Sequence, residues 1–216
     1  MRGRRLIVLF FDLSSMQPEE LERAVTAAHD YVEHKLADAD LIAIASFATS
    51  LQVVQDFTAD AETLRNAIDG FGSNNAAGFD NGLTGDVEDT PDTGNAFTAD
   101  DTEFNIFNTD RKLSAIESVG KLFAGIPEKK FLVHFSSGIE TTGTENQSQL
   151  RSTVDALNLA NTSLYTVDAR GLIAAPPGGD ASHGSASGDA NYSGRAVRNQ
   201  MASIAASQET LTTLAL

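Results

Sequence analysis

The segment Arg5–Asp12 (RLIVLFFD) is a run of six consecutive apolar residues closed by a carboxylate. A strand that is apolar at every position has no solvent face. It must lie inside a sheet covered on both sides, which is the habit of parallel sheets flanked by helices. The rest of the chain supplies the covering. Gln17–Leu36 carries Pro18 in its first turn, Glu19 and Glu20 at the positive helix end, and Leu21, Val25, Ala28, Val32 and Leu36 at helical spacing. Asp40–Ala48 and Gln52–Phe57 read as two strands joined by a short turn at Thr49-Ser50. Ala59–Phe71 reads as a helix with Leu64, Ala67 and Ile68 inward. Thr109–Phe123 reads as another, with Leu113, Ile116, Val119, Leu122 and Phe123 inward. Lys130–Phe135 is a fourth strand, Glu145–Leu159 a helix, Ser163–Asp168 a fifth strand, and Gly194–Leu216 a last helix. Strands alternating with helices imply right-handed βαβ crossovers. The expected fold is a doubly wound, Rossmann-like α/β domain. Its central sheet is mostly parallel, with one antiparallel edge strand from the hairpin and helices on both faces.

One domain spanning 1–216 accounts for this order, interrupted by two polar insertions at about 72–108 and 174–193. Thirty acidic residues against fifteen basic ones give a formal charge of −15. Such a surface repels nucleic-acid phosphates and anionic membranes, so neither is expected as a partner. No apolar run approaches the ~20 residues of a membrane helix, so direct membrane insertion is not expected. The absence of cysteine excludes disulfides, a thiolate nucleophile and cysteine-held metals.

In open α/β sheets, ligands bind beyond the carboxyl ends of the strands, near a switch in strand order. The residues placed there are Asp12-Leu13-Ser14-Ser15-Met16 after the first strand, Asn108-Thr109-Asp110 before a helix, and Ser136-Ser137-Gly138 with Glu140 after the fourth strand. One carboxylate and several hydroxyls make an oxygen-donor set of the kind hard cations such as Mg²⁺ prefer. The plainer reading makes Asp12 and Thr109 helix N-caps. His134, among apolar residues of the fourth strand, reads as a buried, hydrogen-bonded core histidine. His29 and His34 lie five residues apart on one helix, a spacing that does not put them on one face, and His183 has no evident partner. Enzyme signatures fail. A dinucleotide site needs a glycine-rich turn where Asp-Leu-Ser-Ser-Met stands, no phosphate-binding Gly-Lys-Ser/Thr loop occurs, and no Gly-x-Ser-x-Gly elbow surrounds Ser136-Ser137.

The stretch Asp12-Leu13-Ser14-Ser15-Met16 resembles the first motif of von Willebrand factor type A domains, Asp-x-Ser-x-Ser. Phe107-Asn108-Thr109-Asp110 is similar to the segment bearing that family's threonine, and Lys130–Gly138 (KFLVHFSSG) to its fourth strand. The resemblance extends to the order of elements and is closest to a bacterial branch whose first strand reads much like RRLIVLFFDLSSM. It implies a metal-ion-dependent adhesion site in which Asp12, Ser14 and Thr109 hold Mg²⁺ (or Ca²⁺ or Mn²⁺), with Ser137 where the family has an aspartate. It also implies a non-enzymatic module that binds a protein partner, an acidic side chain of the partner filling the open metal position. The chain departs from the pattern at Met16, which stands in place of the second serine, since a thioether is too soft for Mg²⁺. Asp110, Glu140, Asp100, Asp101 or Glu103 are the acids available to compensate. A metal-independent scaffold binding through its loops is the alternative, and a serine hydrolase using Ser136 or Ser137 with a histidine is a remote one. The family usually closes with a further strand and helix, so the resemblance also implies a domain cut short at its C-terminus and an exported bacterial parent.

Overall fold

A computed structural model describes residues 4–37, 39–71, 101–139, 145–171, 205–206 and 208–214. In chain order the elements are β1 (Arg5–Asp12), α1 (Pro18–His34), β2 (Asp40–Phe47), β3 (Leu51–Thr58), α2 (Ala61–Asp69), α3 (Asp101–Phe123), β4 (Lys130–Ser136), α4 (Glu145–Leu159) and β5 (Thr162–Asp168). The five strands form one sheet in the order β3-β2-β1-β4-β5. β1 pairs in parallel with β2 and β4, β4 pairs in parallel with β5, and β3 runs antiparallel to β2 at the edge. This is the mostly parallel, doubly wound sheet with one antiparallel edge strand that the von Willebrand A resemblance implies.

The apolar run explains the centre. Every residue of β1 from Leu6 to Asp12 is buried, and β2 is nearly as closed, whereas no residue of edge strand β3 is fully buried and half are exposed. Side chains alternate across a strand. Ile7, Leu9 and Phe11 therefore join Leu21, Ala24, Ala28 and Val32 of α1 and Leu64 and Ile68 of α2 in one cluster. Val8 and Phe10 join Leu113, Ile116, Val119 and Phe123 of α3 and Leu157 of α4 in the other. Leu211 and Leu214, in the helical residues 208–214, extend that second cluster. Helices α3 and α4 approach closely at Gly120, where an added Cβ would lie 3.2 Å from Leu157 Cδ2.

The amino ends of the central strands are locked by charge. Arg5 donates from Nε and Nη2 to the two oxygens of buried Asp40 at 2.6 and 2.8 Å. Burial pushes the Asp40 carboxyl up, but the Arg5 guanidinium and the Ala37 N–H outweigh burial and hold it below its ordinary value.

Two expectations need correction, and others fall outside the described residues. Helix α3 begins at Asp101, not Thr109, so the end of the expected 72–108 insertion is helical. Acids at positions 101 and 103 suit a helix start, and Asn146 of α4 reaches this stretch by donating to the Ile106 carbonyl at 3.1 Å. Leu122, expected inward, is 56% exposed, because Val119 and Phe123 already fill that turn's inner face. The remaining parts of both insertions, residues 194–204 of the last expected helix, and His183 lie outside the described residues.

Leu9 is 1% exposed at the centre of β1. Leu9→Ala is expected to lower unfolding free energy by about 2–5 kcal/mol, since it leaves a cavity in a core closed on both faces. Urea denaturation checks this, and a loss well under 1 kcal/mol would mean that β1 is not central.

Candidate functional site

The chain leaves β1 toward β2 on one side and reaches β4 on the other, so the switch in strand order lies between β1 and β4. A crevice outside the carboxyl ends of such strands is the usual ligand site of this fold class. Asp12 is the last residue of β1, in register with Phe47 of β2, and Ser136 is the last of β4.

Asp12 is 1% exposed. Its Oδ1 accepts from the Ser14 N–H at 3.1 Å and from Ser14 Oγ at 2.5 Å, while its Oδ2 is buried with no hydrogen-bond partner among the described residues. A buried carboxylate oxygen left unsatisfied is costly, by about 1–3 kcal/mol or more for a charged group. The turn therefore presents a desolvated carboxylate with one free acceptor and a hydroxyl at its side. The N-cap reading of Asp12 fails on geometry, because α1 begins at Pro18 with Gln17 as its cap.

The other sequence candidates are placed unevenly around this carboxylate. Thr109 is buried about two turns inside α3, so it is not a helix N-cap. Three residues on and on the same helix face, Lys112 extends its ammonium to Ser15 Oγ at 2.7 Å, which ties this part of α3 to the loop after β1. Met16 is fully buried in the apolar cluster under α1, so its role is packing. Ser137 donates to Glu20 Oε2 at 2.7 Å, and the same oxygen accepts from the Gln17 N–H at 2.9 Å in the first turn of α1. Gly138, with φ of 106°, turns the chain immediately afterward in a conformation that side chains rarely adopt. Asp110 points elsewhere and accepts from Asn146 of α4 at 2.8 Å. Glu140 and Asp100 lie outside the described residues, as do the side chains of Asp101 and Glu103. Among the described residues, no three His, Asp or Glu side chains converge on a common point that could hold a metal.

Sequence reasoning missed Lys112 and Glu20 at the rim, because both arrive through contacts between distant segments. It also expected His134 to be hydrogen-bonded. His134 is fully buried and stacked on Phe10, with ring centroids 5.3 Å apart, but among the described residues neither ring nitrogen has a hydrogen-bond partner. Burial pushes its pKa from 6.5 down to about 4, with nearby Asp12 opposing that shift and Lys112 adding to it. His29 bridges to Asp69 of α2 at 2.9 Å and His34 is exposed, in keeping with surface roles.

No protein-family model matches the chain, and no curated protein does. Solved structures do. An aerotolerance-related membrane protein from Bacteroides fragilis, carrying multiple mutations to serine, is 13% identical with a TM-score of 0.47, over 76% of this chain and 66% of that one. BatB from Bacteroides thetaiotaomicron is 13% identical with a TM-score of 0.37, over 93% and 99%. The vWF domain of the type V pili tip protein Mfa5 from Porphyromonas gingivalis is 13% identical with a TM-score of 0.37, over 72% and 51%. The chain thus spans just under two thirds of the first of these and about half of the third. At such scores the overlap is partial, and the fold rests on the strand order and registers given above.

The buried imidazole has a stability consequence. The unfolded chain takes up this proton near 6.5 and the folded chain only near 4, so the unfolded state binds more protons between these values. Stability therefore falls as pH falls through that window, by about 3 kcal/mol in total. His134→Phe is expected to flatten this part of the profile in urea melts taken between these pH values. A variant that keeps the wild-type slope would show that His134 is already protonated when folded.

Proposed function

We propose that the chain is a non-enzymatic, von Willebrand A-type interaction module whose rim holds a divalent cation at Asp12. The observation that carries this reading is the buried Asp12 carboxylate at the β1–β4 switch point, with Oδ2 unpartnered among the described residues and Ser14 holding Oδ1. The donor chemistry fits a hard cation: a carboxylate oxygen and neutral hydroxyls, with water completing the shell. Asp12 and Ser14 would supply the core of the site and Thr109 a further hydroxyl. Ser137, in the place of a family aspartate, carries no charge itself but hydrogen-bonds the Glu20 carboxylate. A bound Mg²⁺, Mn²⁺ or Ca²⁺ would present an open position, and an acidic side chain of a protein partner is the ligand such a position selects.

A second reading has its own support. The Lys112 ammonium reaches Ser15 and lies near enough to raise the electrostatic cost of a charged His134. A lysine so placed already supplies positive charge near Asp12, and a metal-independent scaffold that binds through its loops would use it in place of a metal ion. The hydrolase reading gains nothing from the geometry. Ser136 is fully buried with its Oγ accepting from the Gly138 N–H, Ser137 is engaged by Glu20, and neither nitrogen of His134 bonds a serine among the described residues.

Thermal unfolding in chelator, then in millimolar Mg²⁺, Mn²⁺ or Ca²⁺, tests the proposal on wild type and Asp12→Ala. A cation that binds only the native state stabilises it by about 2.7 kcal/mol at ~100-fold saturation. The expected result is a rise in melting temperature for wild type that Asp12→Ala abolishes. No rise with any cation, or equal rises in both proteins, would leave the metal-independent scaffold.

A further inference from the structure

Below the rim lies a group that the function just proposed does not use. His134 sits on β4 in register with Phe10 of β1. Since side chains alternate across a strand, Phe10 and Asp12 project to one face of β1. Phe10 is in the cluster under α3, and His134 stacks on its ring, so His134 and Asp12 share that face as diagonal neighbours across the β1–β4 ladder. His134 has 0% exposure and Asp12 1%.

Three buried side-chain polar atoms lack a hydrogen-bond partner among the described residues: Asp12 Oδ2, His134 Nδ1 and His134 Nε2. Buried polar atoms are overwhelmingly paired in folded proteins, and each exception asks for a cause. Three orphans on two diagonal neighbours point to one shared cause. Lys112, the nearby cation, is engaged at Ser15 Oγ. No hydroxyl or backbone group among the described residues reaches either ring nitrogen.

We propose that Asp12 Oδ2 and one ring nitrogen of His134 are ligands of the same cation, which makes this site selective for a borderline transition ion such as Zn²⁺ or Co²⁺ over Mg²⁺. This rests on the reading of Asp12 as a cation ligand and specifies the ion. Carboxylate, hydroxyl and water oxygens suit Mg²⁺ and Ca²⁺, whereas an imidazole nitrogen in the set moves preference toward Zn²⁺, Co²⁺ and Ni²⁺. No third His, Asp or Glu joins the pair among the described residues. The remaining positions then fall to Ser14, Thr109 and water, which leaves room for a partner's donor. The rival cause is a buried water bridging the carboxylate and the ring, as such waters commonly do.

The test uses the whole 216-residue chain, stripped of metal with chelator and dialysed. Co²⁺ and Mg²⁺ are titrated separately, with melting temperature followed for both and the visible absorption of Co²⁺ for the first. The expected result is half-maximal stabilisation at about tenfold or more lower Co²⁺ than Mg²⁺, with bound-Co²⁺ bands distinct from those of the aqueous ion. His134→Phe is expected to lose that preference while still answering Mg²⁺, and Asp12→Ala to lose both responses. His29, His34 and His183 are present in every variant, so surface binding of Co²⁺ cancels in the comparison.

Equal responses of wild type to Co²⁺ and Mg²⁺, or an unaltered Co²⁺ preference in His134→Phe, would overturn the proposal and leave the Asp12 cation site standing. A wild type that answers no cation removes both and favours the bridging water. Should His134→Phe fail to fold, the wild-type spectrum decides: bound Co²⁺ that keeps the aqueous bands contradicts nitrogen ligation.

Discussion

A strand covered on both faces can carry charge only where it ends, and β1 ends on a carboxylate that is itself buried. The position of β1 at the centre of the sheet, with α1 and α2 on one side and α3 and α4 on the other, follows from its six-residue apolar run. The run also sets the electrostatics at its two ends. At the amino end, buried Asp40 meets a two-pronged guanidinium from Arg5, and the charges are matched at hydrogen-bond distance. At the carboxyl end, Asp12 meets, among the described residues, only the N–H and hydroxyl of Ser14 as hydrogen-bond donors, both on one oxygen. A buried charge is tolerated when it is paired or coordinates a metal, and the contrast between the two ends is what supports the cation proposed at Asp12.

The rim is held by polar links between elements as well as by apolar packing. Ser137 at the end of β4 bonds Glu20, which also closes the first turn of α1 through the Gln17 N–H. Lys112 of α3 bonds Ser15 in the loop after β1. The loop bearing Ser14 is thereby tied on one side to α3 and joined on the other to a helix that β4 holds, so its geometry is set by the fold, as the proposed cation site requires. A preformed site loses less ordering entropy on binding than a flexible one. Met16 anchors the same loop from below, inserted in the apolar cluster under α1. Where the family resemblance suggests a ligating serine, this chain has an anchor.

Much of the scaffold was legible because long apolar runs and helical spacing report burial directly. β1, β2, β4 and the hairpin partner β3 read within about a residue at each end, and α4 read at its observed bounds. The start of α3 did not. Asp101–Asn108 has no clear apolar stripe, and Asn108-Thr109-Asp110 imitates a cap, so the local signal favoured a boundary eight residues late. Asn146, which supports that stretch from α4, is far away in sequence. The same limit governed the site. Asp12 and Ser14 are neighbours in one turn and were visible together. Lys112 reaches Ser15 across 97 positions and Glu20 reaches Ser137 across 117, and no spacing rule anticipates either. That His134 is unpaired among the described residues was equally hidden, since its place in an apolar strand shows that the histidine is buried but not whether it is satisfied.

The account stands on a cation bound at Asp12. The direct measurement is anomalous diffraction from crystals grown or soaked with Mn²⁺, collected so that the metal's scattering is separated from that of the protein. The account places a single strong anomalous peak about 2–2.5 Å from Asp12 Oδ2. Ordered density for Asp12 with no peak beside it, at a Mn²⁺ concentration that produces peaks elsewhere on the acidic surface, would contradict it.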